Sequence, residues 1–345
     1  MKFMNKPRCW LSAVSMALLL AACGGGGGSG PEAHSTDAKL LATITTSDAA
    51  PADLSAAPAP AAVCTTNCLT PGDYTFVLTW DGLPRTYLVH VPASYTGQQH
   101  VPLLIDLHGG ANTALIERQT SGQLQESDSR GFIAVWPDGI GGTWNGYGCC
   151  LLSNMVALDD VGFIRAVIAK VKGHAAIDAD RVFVAGISNG GAMAQRMACE
   201  AADIVRASVS ISFPLNTDQC HPARPIRIAE FAGTADTNVP YNGTNGAPAV
   251  PVVGNLIGFK PIQSALDSLA AWKIINQCSD DLSREDLPEG SYLEEYRTCA
   301  GGVHTALVTL VNVGHIPYPR YPDPLNQNHA PIDVTPYMWD HFFNL

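Results

Sequence analysis

The run RVFVAGISNGGAMAQRM, residues 181–197, limits what this chain can fold into more than any other stretch. The apolar segment Val182–Ala185 reads as a buried strand. Gly-Ile-Ser-Asn-Gly follows, and then small residues at helical spacing. A strand that turns at once into a helix belongs to a largely parallel sheet with helices packed on its faces.

The pattern repeats along the chain. Alternation and β-branched content predict strands over Tyr74–Trp80 and Arg85–Pro92. Asp81-Gly82 between them marks an antiparallel hairpin. Apolar runs predict buried strands at Pro102–Leu107, Phe132–Trp136, Ala207–Ser212, Ile228–Ala232 and Ala306–Val313. Helical spacing covers Asp159–Val171, Ser188–Cys199 and Pro261–Asn276. A final helix is expected over Thr335–Phe343, with Thr335 as N-cap and Pro336 at its first position. The expected class is α/β: a mostly parallel central sheet with helices on both faces.

The termini of that domain follow from composition. Lys2, Lys6 and Arg8 precede an apolar run from Trp10 to Leu20, which is too short to span a bilayer. Leu20-Ala21-Ala22-Cys23 resembles a bacterial lipoprotein cleavage box, so residues 1–22 read as a leader and Cys23 as the lipidated N-terminus. An ordinary secretory leader is the alternative. Residues 23–62 are rich in Gly, Ala and Pro and read as a tether, because they hold too little apolar surface to offset ordering. Residues 63–345 remain as one domain. The expected location is outside the cytoplasm, either secreted or held at the outer membrane or cell surface by the N-terminal lipid alone.

The cysteines agree with export, and the charge is acidic. The chain has 20 basic and 31 acidic residues, a net charge of −11. It shows no Lys/Arg cluster, which argues against nucleic acid as a partner. Ten cysteines are present. With Cys9 in the leader and Cys23 assigned to lipid, Cys64, Cys68, Cys149, Cys150, Cys199, Cys220, Cys278 and Cys299 remain for disulfides. Cys278 follows an expected helix and Cys299 precedes an expected strand, which makes them the favoured pair. No Cys-x-x-Cys or His-x-x-x-His spacing points to a metal, and no cofactor is implied. Nothing in the sequence speaks to the oligomeric state.

Ser188 admits two readings. It fits an N-cap in a Gly-rich turn. It also fits a nucleophile raised at the carboxyl end of a sheet, with Gly186 and Gly190 leaving room and the following helix turning N–H groups toward a reacting carbonyl. A serine hydroxyl needs a base, and the base an orienting carboxylate. Asp236 and His315 follow expected strands in the required order and at the same sheet edge. His304, His329 and His341 compete for the base but follow no buried strand at that edge. DLHGG supplies an oxyanion loop, with N–H donors from Gly110 and from Asn189, while His108 shapes the loop by hydrogen bonding. In LDDVGFI, Asp159 and Asp160 read as caps of a helix rather than as calcium ligands.

The blocks DLHGG, WNGYGCC, DDVGFI, DRVFVAGISNGGAMAQRMACEAAD, GTADTNVPYNG and the late GH resemble the exported polyhydroxybutyrate depolymerase and feruloyl esterase family of α/β-hydrolases. The resemblance covers the chain from about Cys64 onward. It implies carboxylic ester hydrolysis through an acyl-enzyme, with Ser188, Asp236 and His315 as triad. The substrate would be a hydroxyalkanoate polyester or a feruloyl or acetyl polysaccharide ester. It also implies aromatics near the cleft, for which Trp144, Tyr241 and Tyr318 are candidates. The chain departs from the family at Ala232, where His is common, and at Ile316-Pro317-Tyr318-Pro319, where Thr-Trp-Pro-Gly is common. Peptidase-like hydrolysis and a non-catalytic surface-binding role on the same fold remain as alternatives.

Overall fold

The computed structural model describes residues 68–147, 157–216, 219–244, 261–315, 317–318 and 330–343. The expected leader, Cys23, the tether, Cys64, Cys149, Cys150 and His329 lie outside the described residues.

The described strands form one ten-stranded sheet. In chain order they are β1 (Gly72–Trp80), β2 (Leu83–Val91), β3 (Val101–Leu107), β4 (Ile133–Pro137), β5 (Ile177–Ile187), β6 (Ala207–Ile211), β7 (Arg227–Gly233), β8 (Leu282–Asp286), β9 (Tyr292–Tyr296) and β10 (Thr305–Leu310). Across the sheet they run β1-β2-β4-β3-β5-β6-β7-β10-β9-β8. The block from β4 to β10 is parallel, and antiparallel pairs close both edges. Asp81 and Gly82 join β1 to β2 with φ of 49° and 75°, the backbone a two-residue hairpin needs.

Period-two burial sorts the side chains between two cores. Leu103, Ile105 and Leu107 face one side of β3, and Leu104 faces the other. On the first face lie α3 (Asp160–His174), through Phe163, Ile164, Val167, Ile168 and Val171, and α4 (Asn189–Glu200), through Met193, Ala194 and Met197. On the second lie Ala114 of α1 (Ala114–Thr120) and the C-terminal α6 (Val334–Met338) with its π-helical turn Trp339–Phe343. Trp272 of α5 (Ala265–Ile275) joins the first core. The small residues of α4 allow close approach: a β-carbon on Gly191 would sit 2.8 Å from the Ile211 carbonyl oxygen.

Several expectations are corrected. β8 and β9 fall in a stretch to which no element was assigned. α1 and α2 (Gln123–Arg130) were not anticipated either. The final helix is capped by Asp333, not Thr335; the Thr335 hydroxyl instead donates to the Ser121 carbonyl and pins α6 to the end of α1. Asp159 caps α3 by accepting from Gly162 N–H at 2.8 Å. Asp160 does something else. It is fully buried, pairs with Arg85 at 2.7 Å and accepts from the Asn145 N–H at 2.8 Å. Disulfides join Cys278 to Cys299, the favoured pair, and Cys199 to Cys220; Cys68 is also disulfide-bonded.

Candidate active site

β5 ends at Ile187 and α4 begins at Asn189, so Ser188 alone makes the turn. Its φ of 56° and ψ of −120° are strained for a residue with a β-carbon. The turn is possible because its neighbours are bare. A β-carbon on Gly186 would stand 2.4 Å from the Gly190 oxygen, and one on Gly190 would stand 2.1 Å from the Leu107 oxygen. Ser188 occupies the N-cap position, but its hydroxyl caps nothing. It lies 2.8 Å from His315 Nε2.

His315 and Asp236 arrive on adjacent parallel strands. Asp236 follows β7 by three residues and His315 follows β10 by five. Asp236 Oδ2 is 2.7 Å from His315 Nδ1, while its Oδ1 accepts N–H groups from Asn238 and Val239 at 2.8 and 2.9 Å. Those bonds fix the carboxylate in one orientation. The two loops are tied together by Thr234 N–H to the Leu310 oxygen, Ala235 N–H to the Val313 oxygen and Asn312 N–H to Thr234 Oγ1. The Asp236 side chain is 1% exposed and that of His315 14%, so the carboxylate is sealed and the imidazole edge stays reachable.

Of the competing histidines, His304 pairs with Glu295 at 2.8 Å and His341 Nδ1 lies against the Tyr337 oxygen. His108 is buried behind the DLHGG loop. Its Nδ1 donates to the Gly109 oxygen at 2.8 Å and its Nε2 accepts from Gly139 N–H at 2.9 Å. Burial pushes this imidazole below the ordinary histidine range, and both ring nitrogens are occupied by a neutral tautomer. The loop it holds packs on the serine: a β-carbon on Gly109 would lie 3.6 Å from Ser188 Cβ, and one on Gly110 3.6 Å from Asn189 Cβ. Gly110 and Asn189, the two expected oxyanion donors, are thus neighbours at the N-terminus of α4. The Asn189 side chain accepts from the Trp144 N–H at 2.6 Å and donates to the Trp144 oxygen at 2.9 Å.

A cleft of about 230 Å³ opens over Ser188 and His315, walled by Gly110, Ile116, Ile187 and Tyr318. Trp144 and Tyr241 do not line it. Trp144 is fully buried, with its indole N–H donating to the His108 oxygen at 3.0 Å. Tyr241 is half-buried, its hydroxyl 2.9 Å from Thr309 Oγ1. Sequence reasoning missed Glu117, a cleft residue on α1 that is 1% exposed. Nothing in its sequence context signals that burial. Among the described residues no group of three or more His, Cys, Asp or Glu side chains could hold a metal ion.

No family model matches the chain. Feruloyl esterase B of Piromyces equi is 31% identical over 242 residues, covering 67% of this chain and 42% of that one. NocK of Nocardia uniformis subsp. tsuyamanensis, which bears an esterase's name, is 28% identical over 244 residues, covering 68% of this chain and 71% of its own length. The chain therefore spans about two fifths of the Piromyces protein and a larger share of NocK. Among solved structures, the acetyl xylan esterase from Aspergillus awamori superposes with a TM-score of 0.51 at 13% identity, over 70% of this chain and 94% of that one. That last likeness speaks for the fold alone. Taken with the strand order and the strand–serine–helix turn, these likenesses give the chain the α/β-hydrolase fold, and in sequence it is similar to feruloyl esterase-type members of that fold.

Proposed function

We propose that the chain is an exported serine carboxylesterase whose triad is Ser188, His315 and Asp236. The reading rests above all on one observation: the Ser188 hydroxyl, free of any capping role, sits 2.8 Å from an imidazole whose other nitrogen is 2.7 Å from a buried carboxylate. His315 Nδ1–H donates to Asp236, which leaves Nε2 to accept the Ser188 proton. Oγ then attacks the ester carbonyl carbon, and the oxygen that becomes negative is met by the Asn189 and Gly110 N–H groups at the positive end of α4. The carbonyl–alkoxide bond breaks, and His315 protonates the departing alcohol. Water, deprotonated by His315, releases the acid and restores Ser188.

The name of the Piromyces relative favours a feruloyl ester as the substrate, and an acetyl polysaccharide ester would be cut by the same chemistry. A hydroxyalkanoate polyester uses the same chemistry. The disulfides fit an oxidising compartment, in line with a leader cleaved before Cys23 and a lipid on that residue.

The test is Ser188→Ala assayed on p-nitrophenyl acetate, together with labelling by a fluorophosphonate. Loss of kcat by about 10⁴- to 10⁶-fold, with labelling abolished, is expected. Activity near wild type overturns the reading.

A further inference from the structure

The loop that carries His315 is held on its β7 side ahead of the imidazole, where the Leu310 and Val313 oxygens accept from Thr234 and Ala235 N–H groups. Past the imidazole the chain meets a different element, α1. Tyr318, three residues on, is 2% exposed, packs in the second core and lines the cleft with Ser188 and His315. The carboxyl of Glu117 on α1, itself 1% exposed, is the hydrogen-bond partner of the Tyr318 hydroxyl.

α1 is a firm support. At its start Asp138 Oδ1 accepts from Ala114 N–H at 2.7 Å, and Thr113 Oγ1 accepts from Ile116 N–H at 3.3 Å. At its end Ser121 Oγ donates to Asp106 Oδ2 at 2.7 Å, and the Ser121 carbonyl accepts from the Thr335 hydroxyl. Asp106, the penultimate residue of β3, also accepts from Trp136 Nε1 at 2.8 Å.

A phenol and a carboxyl that face each other in a dry core add little net stability, because an apolar pair of the same shape serves nearly as well. What they add is direction. A hydrogen bond favours one distance and one angle, whereas apolar contact lets a loop slide. The bond also puts no charge in the wall at neutral pH: burial, and then the Asp106 carboxyl, raise Glu117 well above the usual carboxylate range. Sliding matters here because His315 Nε2 works only within hydrogen-bond reach of Ser188 Oγ, from which it stands 2.8 Å.

We propose that Glu117 and Tyr318 are positioning residues, whose hydrogen bond anchors the chain after His315 to α1 and so clamps the imidazole from the side opposite Asp236. This deepens the esterase reading and rests on it. Neither group takes part in acyl transfer; each acts through His315.

The experiment measures kcat and KM on p-nitrophenyl acetate, and the urea unfolding midpoint, for wild type, Glu117→Leu, Tyr318→Phe, the double variant and Glu117→Gln. A displaced base slows acylation and deacylation alike and leaves ground-state binding alone. In both single apolar variants kcat should therefore fall by about 10- to 100-fold while KM stays within about twofold. The two groups form one bond, so the double variant should lose no more than either single variant. Glu117→Gln keeps an acceptor for the phenol and should recover most of kcat. The double variant, with both partners apolar, should unfold near the wild-type midpoint, which separates lost position from lost fold. Where a single variant does not fold, the double variant and Glu117→Gln decide the matter by the same measures. A double variant with wild-type kcat, a raised KM with kcat unchanged, single losses that multiply in the double variant, or a Glu117→Gln no better than Glu117→Leu overturns the proposal while ester hydrolysis stands. A wild type that neither hydrolyses the ester nor takes a fluorophosphonate label removes the esterase reading, and this proposal with it.

Discussion

Ser188 holds φ at 56° and ψ at −120°, where a β-carbon is strained by about 1–3 kcal/mol. The fold sustains this because β5 and α4 are both locked in the core and the turn between them has no other course. The strain lifts Oγ off the helix end, where a relaxed N-cap serine would spend its oxygen on an N–H. Stability and placement of the hydroxyl are therefore opposed at one residue. Glycine takes this conformation freely, although it adds entropy to the unfolded chain. Ser188→Gly should be more stable than Ser188→Ala by on the order of 1 kcal/mol in urea denaturation, with both variants inactive. If Ser188→Ala is equally or more stable, the turn is not strained as described.

At the scale of elements, the site is a matter of how β7, β10 and their following loops lie against each other. A β-carbon on Gly233 would stand 2.3 Å from the Val313 oxygen and 2.7 Å from the Gly314 oxygen. Gly233→Ala must therefore push the loop that carries His315 away from Asp236. A misplacement near 1 Å costs about 10²-fold in rate, so kcat should fall by that order while fluorophosphonate-titrated enzyme remains countable. An unchanged kcat would mean the loop gives way without moving the imidazole. Much of this arrangement was legible in the sequence. β3, β5, β6, β7 and β10 are apolar runs, and Ser188, Asp236 and His315 each follow one of them. β8 and β9 were not legible, because LSRED on the edge strand and YLEEY on the strand beside it carry charges on both faces, which hides the alternation. α1 hid for a different reason. The helix turns Glu117 inward, where an amphipathic pattern calls for an apolar residue. The polar end of the cleft was invisible for the same cause: burial, not residue type, makes Glu117 and Asp106 unusual.

Across the whole molecule, an acidic chain has buried some of its acids. Glu230 on β7 is one, well apart in role from the cleft. Its Oε2 accepts from Ser268 Oγ of α5 at 2.6 Å, Ser268 Oγ in turn accepts from Leu215 N–H at 2.9 Å, and Oε1 has no partner. Burial raises this carboxyl to about 8, and it raises Asp106 to about 7. In the unfolded chain both return to ordinary carboxylate values near 4. Between about pH 4.5 and pH 8 the native protein keeps the Glu230 proton that the unfolded chain has released. Rising pH therefore favours unfolding across that window, and the full loss is present above pH 8. Glutamine has the same shape, still accepts from Ser268 and has no proton to lose. Glu230→Gln should match or fall slightly below wild type at pH 5 and exceed it at pH 8, by on the order of a few kcal/mol in urea denaturation. Parallel stability–pH curves for the two proteins would show that the Glu230 proton is not what the fold retains.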